Sequence, residues 1–194
     1  MLCLDNIADI LQFVDMETLY ETLRVSKEIN IVAKSTKLFK EILIVKQCSK
    51  WISFSVVVNL GNLYLAKYFY NQKKWICNLE NSFVNTFYYG HLDISKWIYS
   101  FGNIDIHIYD EYPFRLSCIE NHLESAKWLY SLDKIPISCQ QRSFRFCCEG
   151  GRLEVAKWLY SLGNIDIHTE DDFAFRICKL NKNNLFETWL YSLE

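Results

Sequence analysis

The residues in this chain whose types could do chemistry are four histidines, eight cysteines and two runs of adjacent carboxylates. Asp110-Glu111 and Glu170-Asp171-Asp172 could divide general-acid and general-base work if their surroundings split their pKa values. His91, His107, His122 and His168 could ligate a metal or move protons. Their spacing speaks against both uses. His107 and His168 close two like stretches, Asn103-Ile-Asp-Ile-His107 and Asn164-Ile-Asp-Ile-His168, so they are copies and not partners converging on one centre. His91 and His122 each follow a turn residue in another repeated stretch. The carboxylates fall in connecting segments, where they are expected as solvated loop acids or as an acidic fringe facing a partner. No Gly-rich phosphate loop, zincin motif or nucleophile elbow occurs. The expectation is a chain that is not an enzyme and holds no metal or cofactor.

The cysteines read as core residues. Cys147 and Cys148 are adjacent and so poorly placed to chelate one metal, and several others recur at positions where a helix buries a small apolar residue. The opening stretch MLCLDNIADILQFVD carries Asp5, Asp9 and Asp15 and no basic start, the reverse of a secretory signal. An intracellular chain with free buried thiols is expected.

Composition narrows the classes further. Twenty-one Lys and Arg against 23 Asp and Glu leave a net charge of −2, without the basic surplus that phosphate-backbone binding needs. No apolar run approaches the roughly 20 residues that span a bilayer. Neither a nucleic acid nor a membrane is an expected partner. Six Gly and two Pro exclude a turn-dense β architecture, while 51% hydrophobic residues supply a sizeable core.

The elements that must position these residues are repeated. Gly90-HLDISKWIYS, Asn121-HLESAKWLYS and Gly151-RLEVAKWLYS are copies of one unit, and Gly61-NLYLAKYFYN is a weaker one. Trp97, Trp128, Trp158 and Trp189 follow one another at intervals of 31, 30 and 31 residues, with Tyr68 in the same place 29 residues before Trp97. Phe54, Phe83, Phe114, Phe144 and Phe175 each lie 14 residues before these aromatics. About five units of roughly 30 residues therefore run through residues 46–194. Each reads as two short helices. In the second, Leu153, Val155, Ala156, Leu159 and Leu162 recur at helical spacing, with Glu154 and Lys157 on the polar side. Gly61, Gly90, Asn121 and Gly151 mark the junction, and Gly102 and Gly163 close the second helix, places that suit a left-handed backbone. The Asn-Ile-Asp-Ile-His stretches then alternate like a short extended loop. The expected fold is all-α: a solenoid of helix-turn-helix units with short extended loops, in which stacked neighbours supply the core. The repeated tryptophans are expected to pack; Trp51 and Trp75 stand outside the register.

Gly151-Arg-Leu-Glu-Val-Ala-Lys-Trp-Leu resembles the second helix of an ankyrin repeat, and Gly90-His91 and Asn121-His122 keep that family's Gly-His pair, where the ring braces the turn. Gly-Asn-Ile-Asp-Ile-His is similar to the ankyrin connecting loop. The unit is about three residues shorter than the usual 33, and Phe-Arg (Phe114-Arg115, Phe144-Arg145, Phe175-Arg176) replaces the Thr-Pro-Leu-His opening. This variety resembles the large ankyrin families of giant DNA viruses that infect amoebae and other protists. The resemblance covers about three quarters of the chain. It implies a binding scaffold acting in the host cytoplasm with a host protein as partner. A mostly monomeric state, with weak self-association through the last unit, is expected from that unit's incomplete polar cap.

Residues 1–45 do not fit the repeat and read as two or three short amphipathic helices. Leu4, Ile7, Ile10, Leu11, Val14, Leu19, Leu23 and Val25, followed by Ser26-Lys27, fall in places that resemble an F-box, although Asp5 replaces its Pro and Ile29 its Trp. A working F-box implies docking to the Skp adaptor of a cullin–RING ubiquitin ligase. The other reading of this segment is a plain cap that seals the array.

In ankyrin arrays the loop tips and the exposed side of the first helix carry binding. Here those segments differ between units while the framework repeats. Tyr109, Asp110, Glu111, Tyr112, Gln141, Arg142, Glu170 and Asp171 are therefore candidate contacts, with Tyr109, Tyr112 and Arg142 as anchors of the residue types enriched at hot spots. Arg115, Arg145 and Arg176 form a register-matched row that either lines the concave face or pairs with neighbouring loop acids. In the last unit Asn181-Lys-Asn-Asn184 reads as a polar cap, with Phe186, Trp189, Leu190, Tyr191 and Leu193 expected to leave apolar surface uncovered.

Overall fold

The computed structural model describes residues 54–71 and 78–194. The F-box-like positions, Trp51, Trp75 and the boundary expected at residue 45 lie outside them. The chain divides into two compact units between Cys77 and Asn78. The described part of the first is one helix pair, α1 (Phe54–Asn59) and α2 (Leu63–Asn71), packed through the rings of Phe54 and Tyr70.

Four helix pairs make up the second unit: α3 (Leu79–Tyr89) with α4 (Leu92–Tyr99), α5 (Ile108–Ile119) with α6 (Leu123–Leu132), α7 (Ile137–Gly150) with α8 (Leu153–Ser161), and α9 (Thr169–Leu180) with α10 (Asn184–Tyr191). The described residues are all helix and connecting turn. The junction within each pair is a left-handed residue at the place the sequence marks: Gly61 (φ 72°), Gly90 (77°), Asn121 (64°) and Gly151 (68°). Lys182 takes it in the last pair at φ 55°. The next N–H then turns back onto the first helix, as from His91 to the Thr86 carbonyl and from Arg152 to that of Cys147, both at 2.8 Å. This satisfies carbonyls that a helix end would otherwise leave without partners.

The first helices stack on one another, α3 on α5, α5 on α7 and α7 on α9, and each packs on its own second helix. Phe83, Phe114, Phe144 and Phe175 occupy the core between them. Three of the tryptophans reach beyond their own pair. Trp158 lies against Phe114 (6.2 Å between centroids) and Tyr130 (5.8 Å), both of the preceding pair. Trp189 repeats this against Phe144 and Tyr160, and Trp128 against Phe83 and Tyr99 with a parallel stack on Phe87. Trp128, Trp158 and Trp189 thus link one pair to the next, half-buried and edge-on to a Tyr, a favourable ring geometry.

Three further ties run along the turn side. The carbonyls of Tyr88, Ile119 and Glu149 are equivalent, each two residues before the left-handed turn. They accept in turn from His122 Nε2 (3.2 Å), Arg152 Nε (3.0 Å) and Asn181 Nδ2 (3.0 Å) of the following pair. Three different side chains keep one bond, so the His of the Gly-His pair is one solution among several. The thiols of Cys118, Cys139, Cys147, Cys148 and Cys178 are free and buried, as expected of core cysteines. Burial pushes Cys139 up to about 11 and Cys147 up to about 12, which keeps both unreactive at neutral pH.

The last pair departs from expectation. Phe186 and Leu190 are fully buried and not part of an uncovered surface, because Phe186 takes the place that Val155 fills in the preceding pair. The exposed apolar side chains there are Leu180 (76%), Leu185 (77%) and Tyr191 (55%). Leu185 stands where the other pairs carry Asp93, Glu124 and Glu154, on the outer side of the second helix.

Candidate functional site

The connecting loops do not run simply extended. After Asn103–Asp105 the chain winds through Tyr109, Asp110 and Glu111 at φ 53°, 59° and 60°, one turn of left-handed helix, before α5 continues right-handed. Glu170, Asp171 and Asp172 repeat this at φ 55°, 54° and 58°. Such geometry costs L-residues roughly 1–2 kcal/mol each, so side chains must hold it. Pro113 directly after the first turn suits the restart, since an N-terminal helical position needs no N–H.

Each turn is closed by a histidine. The Asp105 and Asp166 carboxylates accept the backbone N–H of His107 (2.8 Å) and His168 (2.9 Å). His107 Nδ1 then meets both Glu111 oxygens at 2.8 and 2.9 Å, and His168 Nδ1 meets Asp172 Oδ1 at 2.7 Å. His107 Nε2 also reaches Asp133 Oδ2 of the next loop at 3.3 Å. Partial burial lowers the His107 pKa, but the hydrogen bonds and charges of Glu111 and Asp133 outweigh it and leave the value above the ordinary 6.5. His168 is raised chiefly by its bond to Asp172. Asp133 is lowered, first by the Lys134 N–H and then by His107.

The arginine row is spent on these turns. Arg115 Nη1 pairs with Asp110 Oδ2 at 2.7 Å and donates to the Asp110 carbonyl, while its guanidinium lies 5.5 Å from the Tyr112 ring centroid. Arg142 reaches the same carboxylate oxygen from α7 at 2.9 Å. Arg176 Nη2 donates to the Glu170 carbonyl at 3.0 Å. The loop before α7, Asp133-Lys-Ile-Pro136, is shorter and has no left-handed turn. Arg145 reaches onward from α7 instead, pairing with Glu170 and covering the Phe173 ring at 4.7 Å. Gln141 joins the same loop: its Nε2 donates to the Asp166 carbonyl at 2.8 Å and its Oε1 accepts the Asp166 N–H at 3.0 Å. Arg115 and Arg145 thus pair with loop acids, while Arg176 bonds a loop carbonyl.

The candidate residues therefore gather on one edge, but in two roles. Tyr109 (60% exposed), Tyr112 (37%) and Asp171 present free surface, and Arg142 and Asp110 are exposed although paired with each other. Glu111 is a different case. It is 6% exposed and turned onto His107, so it is neither a solvated loop acid nor part of an outward fringe. No family model matches the chain, and no curated protein matches it. The residues that hold the edge in place include Asp133 and, from the two repeated loop stretches, Asp105, His107, Asp166 and His168, none of them a candidate contact. Their signal is the repeated spacing Asp-Ile-His-x-x-x-acid at 105–111 and 166–172.

Proposed function

We propose that the chain is a non-enzymatic protein-binding scaffold of ankyrin type, capturing a host protein on the loop edge that carries Tyr109, Asp110, Tyr112, Arg142 and Asp171. The observation that carries this reading is the division of labour within the repeat. Trp, Phe and the left-handed junctions recur from pair to pair, while the loop residues exposed beside them do not. Strained turns braced by side chains also fit a presented surface, because a preordered face loses less entropy on binding. The Phe-Arg and Ala-Lys-Trp-Leu-Tyr-Ser signature supports the likeness to ankyrin arrays of giant DNA viruses, and with it a place in the host cytoplasm. No helix among the described residues is long and apolar enough to cross a membrane.

In the fuller form of this proposal, residues 1–45 act as an F-box and dock the Skp adaptor. The captured protein is then presented to a cullin–RING ligase, where the catalysis resides. Affinity capture from amoeba lysate with the full chain and with an Ile10→Asp/Leu11→Asp variant tests it. Adaptor bound by the parent and lost by the variant, with any loop-edge partner retained by both, is the expected result. A partner without adaptor in either capture leaves the plain capped scaffold. Self-association as a structural component is the second reading, favoured by the exposed Leu180, Leu185 and Tyr191 of the last pair.

A further inference from the structure

We propose that the two histidine–carboxylate clasps make the loop edge pH-responsive, with acidification locking the left-handed turns and alkalinisation releasing them. The inference rests on reading this edge as a binding face, but its test involves no partner. The geometry at His107 is specific: both ring nitrogens point at carboxylate oxygens, Nδ1 at Glu111 and Nε2 at Asp133. Only the imidazolium donates from both nitrogens at once. Loss of its proton must therefore give up one of the two bonds and leave Glu111, whose side chain is 8% exposed, without a countercharge on that ring. The Asp133 bond also joins one loop to the next, so the proton closes a link between neighbouring helix pairs.

The groups facing each ring reinforce the sign. Around His107 stand Glu111, Asp133 and the Asp105 carboxylate that holds its N–H, all anionic. On the α7 side Cys139, which feels Glu111, Arg115 and Asp110, stays neutral through burial. Around His168 stand Asp172, Asp166 and Glu194, with Phe175 stacked on the ring at 5.6 Å. A histidine whose pKa is raised by folding contributes its full stabilisation below its ordinary value, and loses it as pH climbs through the raised value. Asp133 works at the other end, contributing above its ordinary range and failing only in strong acid. The lock is thus complete below the ordinary histidine value of 6.5 and opens as pH climbs through the raised values above it.

Ring-nitrogen NMR and amide exchange on the full chain, between about pH 5 and pH 8, test the proposal. The expected result is a His107 midpoint above the ordinary value of 6.5. Across the same midpoint, protection of the 109–112 amides, corrected for intrinsic rate, should fall several-fold while that of core amides in α3 stays constant. In His107→Asn that pH dependence disappears at 109–112 and persists at 170–172, where His168 still titrates. Asp133→Asn, which leaves the Glu111 bond in place, lowers the His107 midpoint and weakens the response. Protection at 109–112 that stays flat while His107 titrates, or that keeps its pH dependence in His107→Asn, overturns the proposal.

Discussion

Replacing Phe144 by Ala is expected to destabilise the array by about 3–5 kcal/mol, the range for truncating a buried aromatic. Phe144 is 1% exposed, lies between the stacked first helices, and is one of the two rings of the preceding pair that hold Trp189. Its loss therefore opens a cavity and loosens the link to the last pair in one step. For a chain of this size the melting temperature should fall by roughly 10 °C. Because neighbouring units stabilise one another, the last pair should lose amide protection before α3 does. A fall of only a degree or two, or a uniform loss of protection from α3 to α10, would contradict the inter-pair role assigned to this ring.

The second large effect is expected at Gly90. Its backbone is left-handed at φ 77°, and a Cβ there would stand 2.5 Å from Cε1 and 2.6 Å from Nδ1 of His122. Gly102 has nearly the same φ, 78°, with nothing within 4 Å of its Cβ position. The pair separates backbone strain from crowding. Gly102→Ala should cost about 1 kcal/mol, the strain alone. Gly90→Ala should cost about 2–3 kcal/mol, because His122 must also swing away and give up the Tyr88 carbonyl. Thermal melts of both variants decide this. Equal losses would mean that His122 yields freely and that its bond to Tyr88 contributes little. Combining Gly90→Ala with His122→Ala should cost less than the sum of the two, as expected for residues in contact. Gly151 meets Asn183 Nδ2 at 2.7 Å in the same way, so the crowding is a property of the repeat.

Much of this framework is legible in the sequence. Gly61, Gly90, Asn121 and Gly151 mark the left-handed junctions because few residues tolerate that backbone, and the helical spacing of Val155, Ala156 and Leu159 names the buried face. What periodicity cannot name is the neighbour across that face. Trp158 is expected to pack, and the structure names its neighbours as Phe114 and Tyr130 of the preceding pair. The left-handed loop turns were hidden for another reason. Tyr109-Asp110-Glu111 and Glu170-Asp171-Asp172 contain no Gly, so local propensity argues against the conformation they adopt. Contacts made at a distance, from Arg142 to Asp110 and from Arg145 to Glu170, help hold them there. The same applies to Glu111, an apparent surface acid that folding turns inward onto His107. In the last unit the usual Leu is displaced by one position to Leu185, which lies outside, while Phe186 keeps the register of Val155 and is buried.

The central claim is that the repeated residues carry folding while the variable loop edge carries binding. Its most direct measurement is capture by the full chain bearing Tyr109→Ala, Tyr112→Ala and Arg142→Ala together, made alongside its melting temperature. These side chains are largely exposed, and the Arg142–Asp110 pair they remove is a surface pair worth at most about 1 kcal/mol. The predicted result is a melting temperature within a few degrees of the parent and loss of the protein partner that the parent captures. Undiminished capture by a folded triple variant would contradict the claim and place the binding surface elsewhere on the chain.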